Sequence, residues 1–182
     1  MKKLLSLIFS LFLIFTSLSY SQTTDIKNAE KLVTDGLAFL KSSNWSSYAK
    51  LIDPADLKML KETFDTLIVR DTTNEMATEF SGIKSKDEFL KLSGAEFFPY
   101  FMKYLVLVQE GLAEVLGRMD AKILGSVNED NMVHVVTRQK TSLGQKEFSQ
   151  LEIVTVVIKD GNQYLRMKDD LRALAEQLRG EY

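Results

Sequence analysis

The chain has 182 residues, with 23 basic and 25 acidic side chains, two prolines and no cysteine. So even a charge balance excludes the basic face that nucleic-acid phosphates demand, and the missing cysteine excludes disulfide staples, thiolate metal sites and thiol catalysis. A chain of this length buries a core by packing alone.

The first element is a leader. Lys2 and Lys3 open it, Leu4 to Leu18 is apolar apart from Ser and Thr, and Ser19-Tyr20-Ser21 supplies small residues at the positions a signal peptidase must fit. The apolar run falls short of the ~20 residues that cross a bilayer. The expectation is therefore a signal peptide over 1–21, cleaved before Gln22, and a single domain over 22–182 with no membrane span after cleavage. No cysteine stands at the cut to carry a lipid, so a soluble periplasmic or extracellular protein is expected, and an exported chain without cysteine suggests a bacterial envelope. Losing Lys2 and Lys3 leaves 21 basic against 25 acidic residues, a net charge of −4.

The next elements are helical by period. Ile26, Ala29, Val33, Leu37 and Leu40 share one face, and Ser42-Ser43-Asn44 breaks the pattern. Trp45, Tyr48, Leu51 and Ile52 form a short second apolar face that ends at Asp53-Pro54. Pro54 suits the first turn of a third helix carrying Leu57, Leu60 and Phe64 inward. Val69 to Ile83 is polar and reads as a loop about Asp71-Thr72-Thr73-Asn74. Ser85-Lys86-Asp87-Glu88 matches a capping box, so a helix starts there and pauses near Gly94. Phe97 to Leu116 resumes as one long helix, apolar around most of its circumference and therefore buried.

After Gly117 the period changes to two. Asp120–Asn128, Met132–Lys140, Glu147–Lys159 and Gln163–Lys168 read as four strands of an antiparallel meander. Asp160-Gly161 is the strongest hairpin signal, because a tight primed turn needs positive φ. Asp169 then caps a C-terminal helix in which Leu171, Leu174, Ala175 and Leu178 share a face. Helices first and sheet second make an α+β fold.

Alternation divides the sheet into two faces. Ile123, Val127, Val133, Val135, Leu151, Ile153, Val157, Leu165 and Met167 are expected to meet the helices. Leu124, Met132, His134, Val136, Arg138, Glu152, Val154, Val156, Ile158, Tyr164 and Arg166 are expected on the other face. That second set is too apolar at its centre to stand in water, so the C-terminal helix or a partner is expected to cover it. Leu124, His134, Val136, Val154, Val156 and Tyr164 are the candidate interface residues, with a homodimer through the sheet as one form of the contact.

An opening helix with Phe39-Leu40-Lys41 is followed by Asn44-Trp45-Ser46-Ser47-Tyr48-Ala49-Lys50-Leu51-Ile52, and long strands run through Met132–Val136 and Leu151–Ile158. In this order and these lengths the chain resembles the nuclear transport factor 2-like superfamily, the cystatin-like cone shared with ketosteroid isomerase and polyketide cyclases. The resemblance implies helices packed on a curved antiparallel four-stranded sheet, with a cavity between them that holds an aspartate base or an Asp–His pair in active members. The C-terminal helix and the segment 69–96 depart from that pattern.

The chemistry the sequence offers is sparse. His134 is the single histidine, and the face assignment points it away from the cavity side. Its plainer role is a hydrogen-bonded histidine in a sheet interface, with no catalytic residue assigned. One histidine without cysteine leaves no metal site, no calcium-spaced acidic loop occurs, and no glycine-rich phosphate loop or Gly-x-Ser-x-Gly setting is present, so no cofactor is expected. Trp45 and Tyr48 are candidate ligand-binding residues at a pocket mouth, although aromatics at helical spacing usually belong to a core. The reading is an exported, non-enzymatic binding or accessory domain for a small apolar ligand or an envelope protein. Its alternatives are an isomerase, dehydratase or cyclase acting in the cone cavity, and a structural dimer of an envelope assembly.

Overall fold

The computed structural model describes residues 23–73, 75–143, 146–168 and 172–173. The leader over 1–21 and most of the expected C-terminal helix, with Leu171, Leu174, Ala175 and Leu178, lie outside the described residues.

Helix α1 is described over 23–41, and Ser43 closes it with φ of 54°. Helix α2 spans Trp45–Ala49, capped by Asn44, whose side chain accepts from the Ser47 amide. Helix α3 spans Pro54–Arg70; Asp53 caps it by accepting from the Ala55 amide, and Pro54 occupies its first turn, where a missing N–H costs nothing. Short helices follow, α4 over Glu75–Glu79 and α5 over Lys86–Lys91, then α6 over Gly94–Val108 and α7 over Leu112–Arg118.

Two of these boundaries correct the sequence reading. The expected loop of 69–83 holds the end of α3 and all of α4, and Ala77, Phe80 and Ile83 are buried in it. Three widely spaced apolar residues suffice to pin a polar segment to the helical core. The expected long helix of 97–116 is two helices, because Gly111 takes φ of 81°, a left-handed conformation that ends one helix and opens the next. Helix α6 is buried through Phe97, Phe98 and Phe101, Tyr104 and Leu105 pack half-buried on the same core, and Leu107 and Val108 at its end are exposed.

The helices share a core rich in phenylalanine. Phe64, Phe80, Phe89, Phe97 and Phe101 contact one another with ring centroids 5.1 to 5.9 Å apart, in tilted and edge-on geometries. Lys61 is buried against them, its Nζ 4.6 Å from the Phe89 centroid and paired with Asp65.

Strands β1 (Asp120–Glu129), β2 (Met132–Leu143), β3 (Lys146–Lys159) and β4 (Asn162–Leu165) form an antiparallel sheet in that order. The fold is α+β, helices followed by an open four-stranded antiparallel sheet. Helix α1 lies on one face: Ala29 and Val33 pack on Val133, Val135, Val156 and Leu165, and Glu30 accepts from the Ser126 hydroxyl. The turn at Asp160-Gly161 has φ of 51° and 76°, as its sequence predicts.

Strand β4 stops at Leu165, short of the expected Lys168. The Met167 amide donates to Asp56 Oδ2 at 2.8 Å, and the Met167 side chain enters the helical core, so the chain leaves β3 at that point. Leu165 meanwhile donates to Leu51 O at 2.7 Å and accepts from Asp53 N–H at 2.9 Å, a short parallel bridge that joins α2 and α3 to the sheet edge. A Lys159–Asp53 ion pair closes the same junction.

The two-face division is corrected at β1 and β3. Val133 pairs with Val156 and Val135 with Val154, so Val154 and Val156 belong with the valines under α1. Val136 pairs with Ile153, Arg138 with Leu151 and His134 with Val127, which places Val127, Leu151 and Ile153 on the opposite face. Val157 joins them there through its pair with Tyr164.

Candidate functional site

The face of the sheet turned away from α1 gathers several of the exposed large apolar side chains among the described residues. Cross-strand pairing arranges it in rows: Lys122, Arg138 and Leu151; then Val136 and Ile153; then Val127, His134 and Thr155; then Glu129, Met132, Val157 and Tyr164. Leu124 sits in a bulge beside Val136, where the β1 register shifts between Ile123 and Gly125. Val127, Leu151 and Ile153 are 61%, 62% and 63% exposed, and Leu124 is exposed as well. These β-branched and leucine side chains stand together on a pleated surface with no helix of the described residues across them.

His134 is oriented within that face from both ring nitrogens. Its Nδ1 lies 3.1 Å from Thr155 Oγ1 on β3, and its Nε2 lies 3.2 Å from Glu129 Oε2 at the end of β1. Arg166 reaches the same region, with Nη1 3.9 Å from Met132 Sδ. The line of carboxylate, imidazole and hydroxyl fixes the ring, but β2 has neighbours on both sides and its amides serve the sheet ladder. Converging backbone donors, which stabilise charge developing in acyl transfer, do not arise in such a setting.

The candidate interface residues of the sequence therefore divide. Leu124, His134, Val136 and Tyr164 share the open face; Val154 and Val156 are on the side of α1, with Val156 fully buried. Val127, Leu151, Ile153 and Thr155 belong to the open face and were missed. The two-residue hairpin connections would have found them, since Lys159 opposite Asn162 forces Val157 opposite Tyr164, and Glu129 opposite Met132 forces Val127 opposite His134.

Trp45 lies in the packed interior, and Tyr48 is half-buried beside it. Trp45 is buried; Tyr48 touches both apolar clusters, and its ring centroid is 5.9 Å from that of Phe98. Burial pushes the Tyr48 phenol up to about 12. An open cleft of about 500 Å³ lies nearby, lined by their neighbours Ala49 and Lys50 and by Leu57, Lys61, Asp65 and Leu92. Its charges are already committed in part, Lys61 to Asp65 and Lys58 to Glu62 at 3.8 Å.

Among the described residues no group of three or more His, Asp or Glu side chains is placed to hold a metal ion, and no helix is long and apolar enough to cross a membrane. Comparison with family models, with curated proteins and with solved structures finds no match to this chain.

Proposed function

We propose that the protein is an exported, non-enzymatic binding domain that docks a protein partner on the open face of its sheet. The observation that carries this reading is the contiguous exposure of Val127, Leu151 and Ile153 around Val136. Burying one such side chain against a partner contributes roughly 1.5–3 kcal/mol, and monomeric surfaces rarely leave a contiguous patch of this kind bare. Lys122, Arg138 and Lys140 border one end of the face together with Asp120, opposite Lys140, and Glu147, so the apolar centre has a mixed-charge rim. Export rests on the leader of residues 1–21.

The likeness to the nuclear transport factor 2-like cone belongs to the same proposal, supported by the order of helices and antiparallel sheet. Binding is favoured over cavity catalysis because Ala29, Val33, Val133, Val135 and Val156 fill the space between α1 and the sheet, and His134 is on the opposite side. The test is photo-cross-linking in the cells that make the protein. A photoreactive residue at Val136, on the open face but away from the β3 edge, is expected to give one defined adduct, absent when the label sits at exposed Glu79 and lost when Val127→Lys is added. Equal adducts from Val136 and Glu79, or an adduct indifferent to Val127→Lys, would overturn the reading.

A small apolar ligand is a second reading, favoured by the cleft beside Lys58 and Lys61. Decanoate is the probe: a rise in Tm that Lys58→Glu abolishes and Val127→Lys leaves intact would assign ligand binding to the cleft.

A further inference from the structure

Strand β3 is much longer than the strand beside it. It runs from Lys146 to Lys159, whereas β4 pairs only with Val156 to Lys159. One further bond, from the Arg166 amide to Thr155 O at 2.9 Å, ends the contact before Met167 turns away to Asp56. Among the described residues the outer edge of β3 from Lys146 to Val154 thus has no neighbouring strand. The ladder directions show which groups are free. Ile158 donates towards β2, to Asn131 O, and Thr155 accepts from the β4 side, so even-numbered residues serve β2 and odd-numbered ones face outward. Glu147, Ser149, Leu151 and Ile153 therefore present their N–H and C=O groups at an open edge.

Natural sheets protect such an edge with short strands, proline, or a run of like charge. This edge is long and without proline, and it carries Phe148, Leu151 and Ile153, all at least half exposed.

We propose that two copies of this chain join by antiparallel pairing of their β3 edges, centred on Leu151. The sequence is self-complementary about that point. On one face Leu151 meets Leu151 of the partner subunit and Ser149 meets Ile153 of the partner subunit. On the other face Phe148 meets Val154 of the partner subunit, and Gln150 meets Glu152 of the partner subunit. No like charges are opposed, the outward amides of Ser149, Leu151 and Ile153 all gain partners, and the apolar pairs add cross-strand packing. Because the residues that meet share a face, the two-fold axis stands perpendicular to the sheet and the open faces of both copies lie on the same side. The dimer stands independently of the docking reading, and it would double the platform that reading uses.

Sedimentation of the exported chain at micromolar concentration, with three substitutions, tests this. The wild type is expected to sediment as a dimer. Ser149→Pro removes an outward N–H and leaves the bonds to β2 in place, so it is expected to raise the dimer dissociation constant by at least about tenfold, which is 1.4 kcal/mol, at unchanged circular dichroism. Val127→Lys, at the far edge of the open face, is expected to leave the dimer intact while removing partner cross-links. If Ser149→Pro fails to fold, cysteine decides, since the chain has none of its own. Leu151→Cys is expected to give an oxidised covalent dimer, as directly opposed residues of a bonded pair lie about 5.5 Å apart between Cα atoms. A monomeric wild type, a dimer lost on Val127→Lys but not on Ser149→Pro, or no cross-link from Leu151→Cys would overturn the proposal. A monomeric wild type or a missing Leu151→Cys cross-link leaves the docking reading standing, so the two claims fail separately.

Discussion

Met167 and Asp56 show how one buried carboxylate anchors the chain just past the end of a strand. The Met167 amide points away from β3, as that of Leu165 does, and Asp56 Oδ2 takes it at 2.8 Å, with Arg172 Nη1 3.5 Å from the other oxygen. Asp56 is buried, so removing it strands a donor away from water. Asp56→Ala is expected to cost about 2–4 kcal/mol, and Asp56→Asn, which keeps an acceptor, distinctly less; urea unfolding of the three proteins checks the order. Tyr48 gives a second residue-scale prediction. Its folded phenol ionises at about 12, above the unfolded value near 10. The unfolded state then releases its proton first as pH rises, so stability is whole below pH 10 and falls between about 10 and 12. Wild type is expected to lose up to roughly 2 kcal/mol more than Tyr48→Phe between pH 9 and 11.5. A loss equal in both would show the phenol to be solvated. Neither role was legible in the sequence, where no pattern singles out Asp56 and Tyr48 stands as a candidate for a pocket mouth. The partners are more than a hundred residues away for Asp56, and for Tyr48 they include Phe98 on another helix. Local pattern carries no trace of either.

At the scale of elements, α6 begins where two signals coincide. Ser93 accepts from the Glu96 amide while the Glu96 carboxylate accepts from the Ser93 amide at 2.8 Å and from its hydroxyl at 2.7 Å, a complete capping box. Those bonds hold the Glu96 carboxyl below its ordinary range, so the cap is intact above that range and is lost as pH falls through the lowered value. Ser93→Ala is expected to cost about 1 kcal/mol. Gly94 follows for a different reason: a Cβ there would lie 2.4 Å from Leu57 O, because α6 crosses α3 backbone to backbone. Gly94→Ala is therefore expected to destabilise by about 2 kcal/mol or more despite the helix propensity it adds, and stabilisation in thermal unfolding would contradict that crossing. The sequence reading placed the box at Ser85 instead. There Ser85 does accept from the Glu88 amide, but Glu88 reaches back to the Lys84 amide, one residue beyond a box. Period marked the helices α1, α3 and α6 and all the strands, since amphipathic faces and alternation are local. It failed where three apolar residues anchor 69–83 and where Gly111 divides a helix, because both depend on what packs against the segment.

For the whole molecule the decisive feature is a sheet used on both sides differently, one closed by α1 and one open among the described residues. The parity of β1 and β3 was legible in the two-residue hairpins, whereas alternation alone left each strand free to flip. The bulge at Leu124 has no sequence signal beyond the neighbouring Gly125, and it is what keeps Leu124 and Val127 on one side despite their spacing. The account holds that this face is free of cover from the described fold and so available to a partner. Urea unfolding of the Val127→Lys variant, whose substitution lies away from the β3 edge, tests that claim most directly. Side chains more than half exposed have little folded-state packing to lose, so the predicted change in unfolding free energy is within about 0.5 kcal/mol of wild type. A loss of about 2 kcal/mol or more would mean that the face is packed within the chain itself, and would contradict the account.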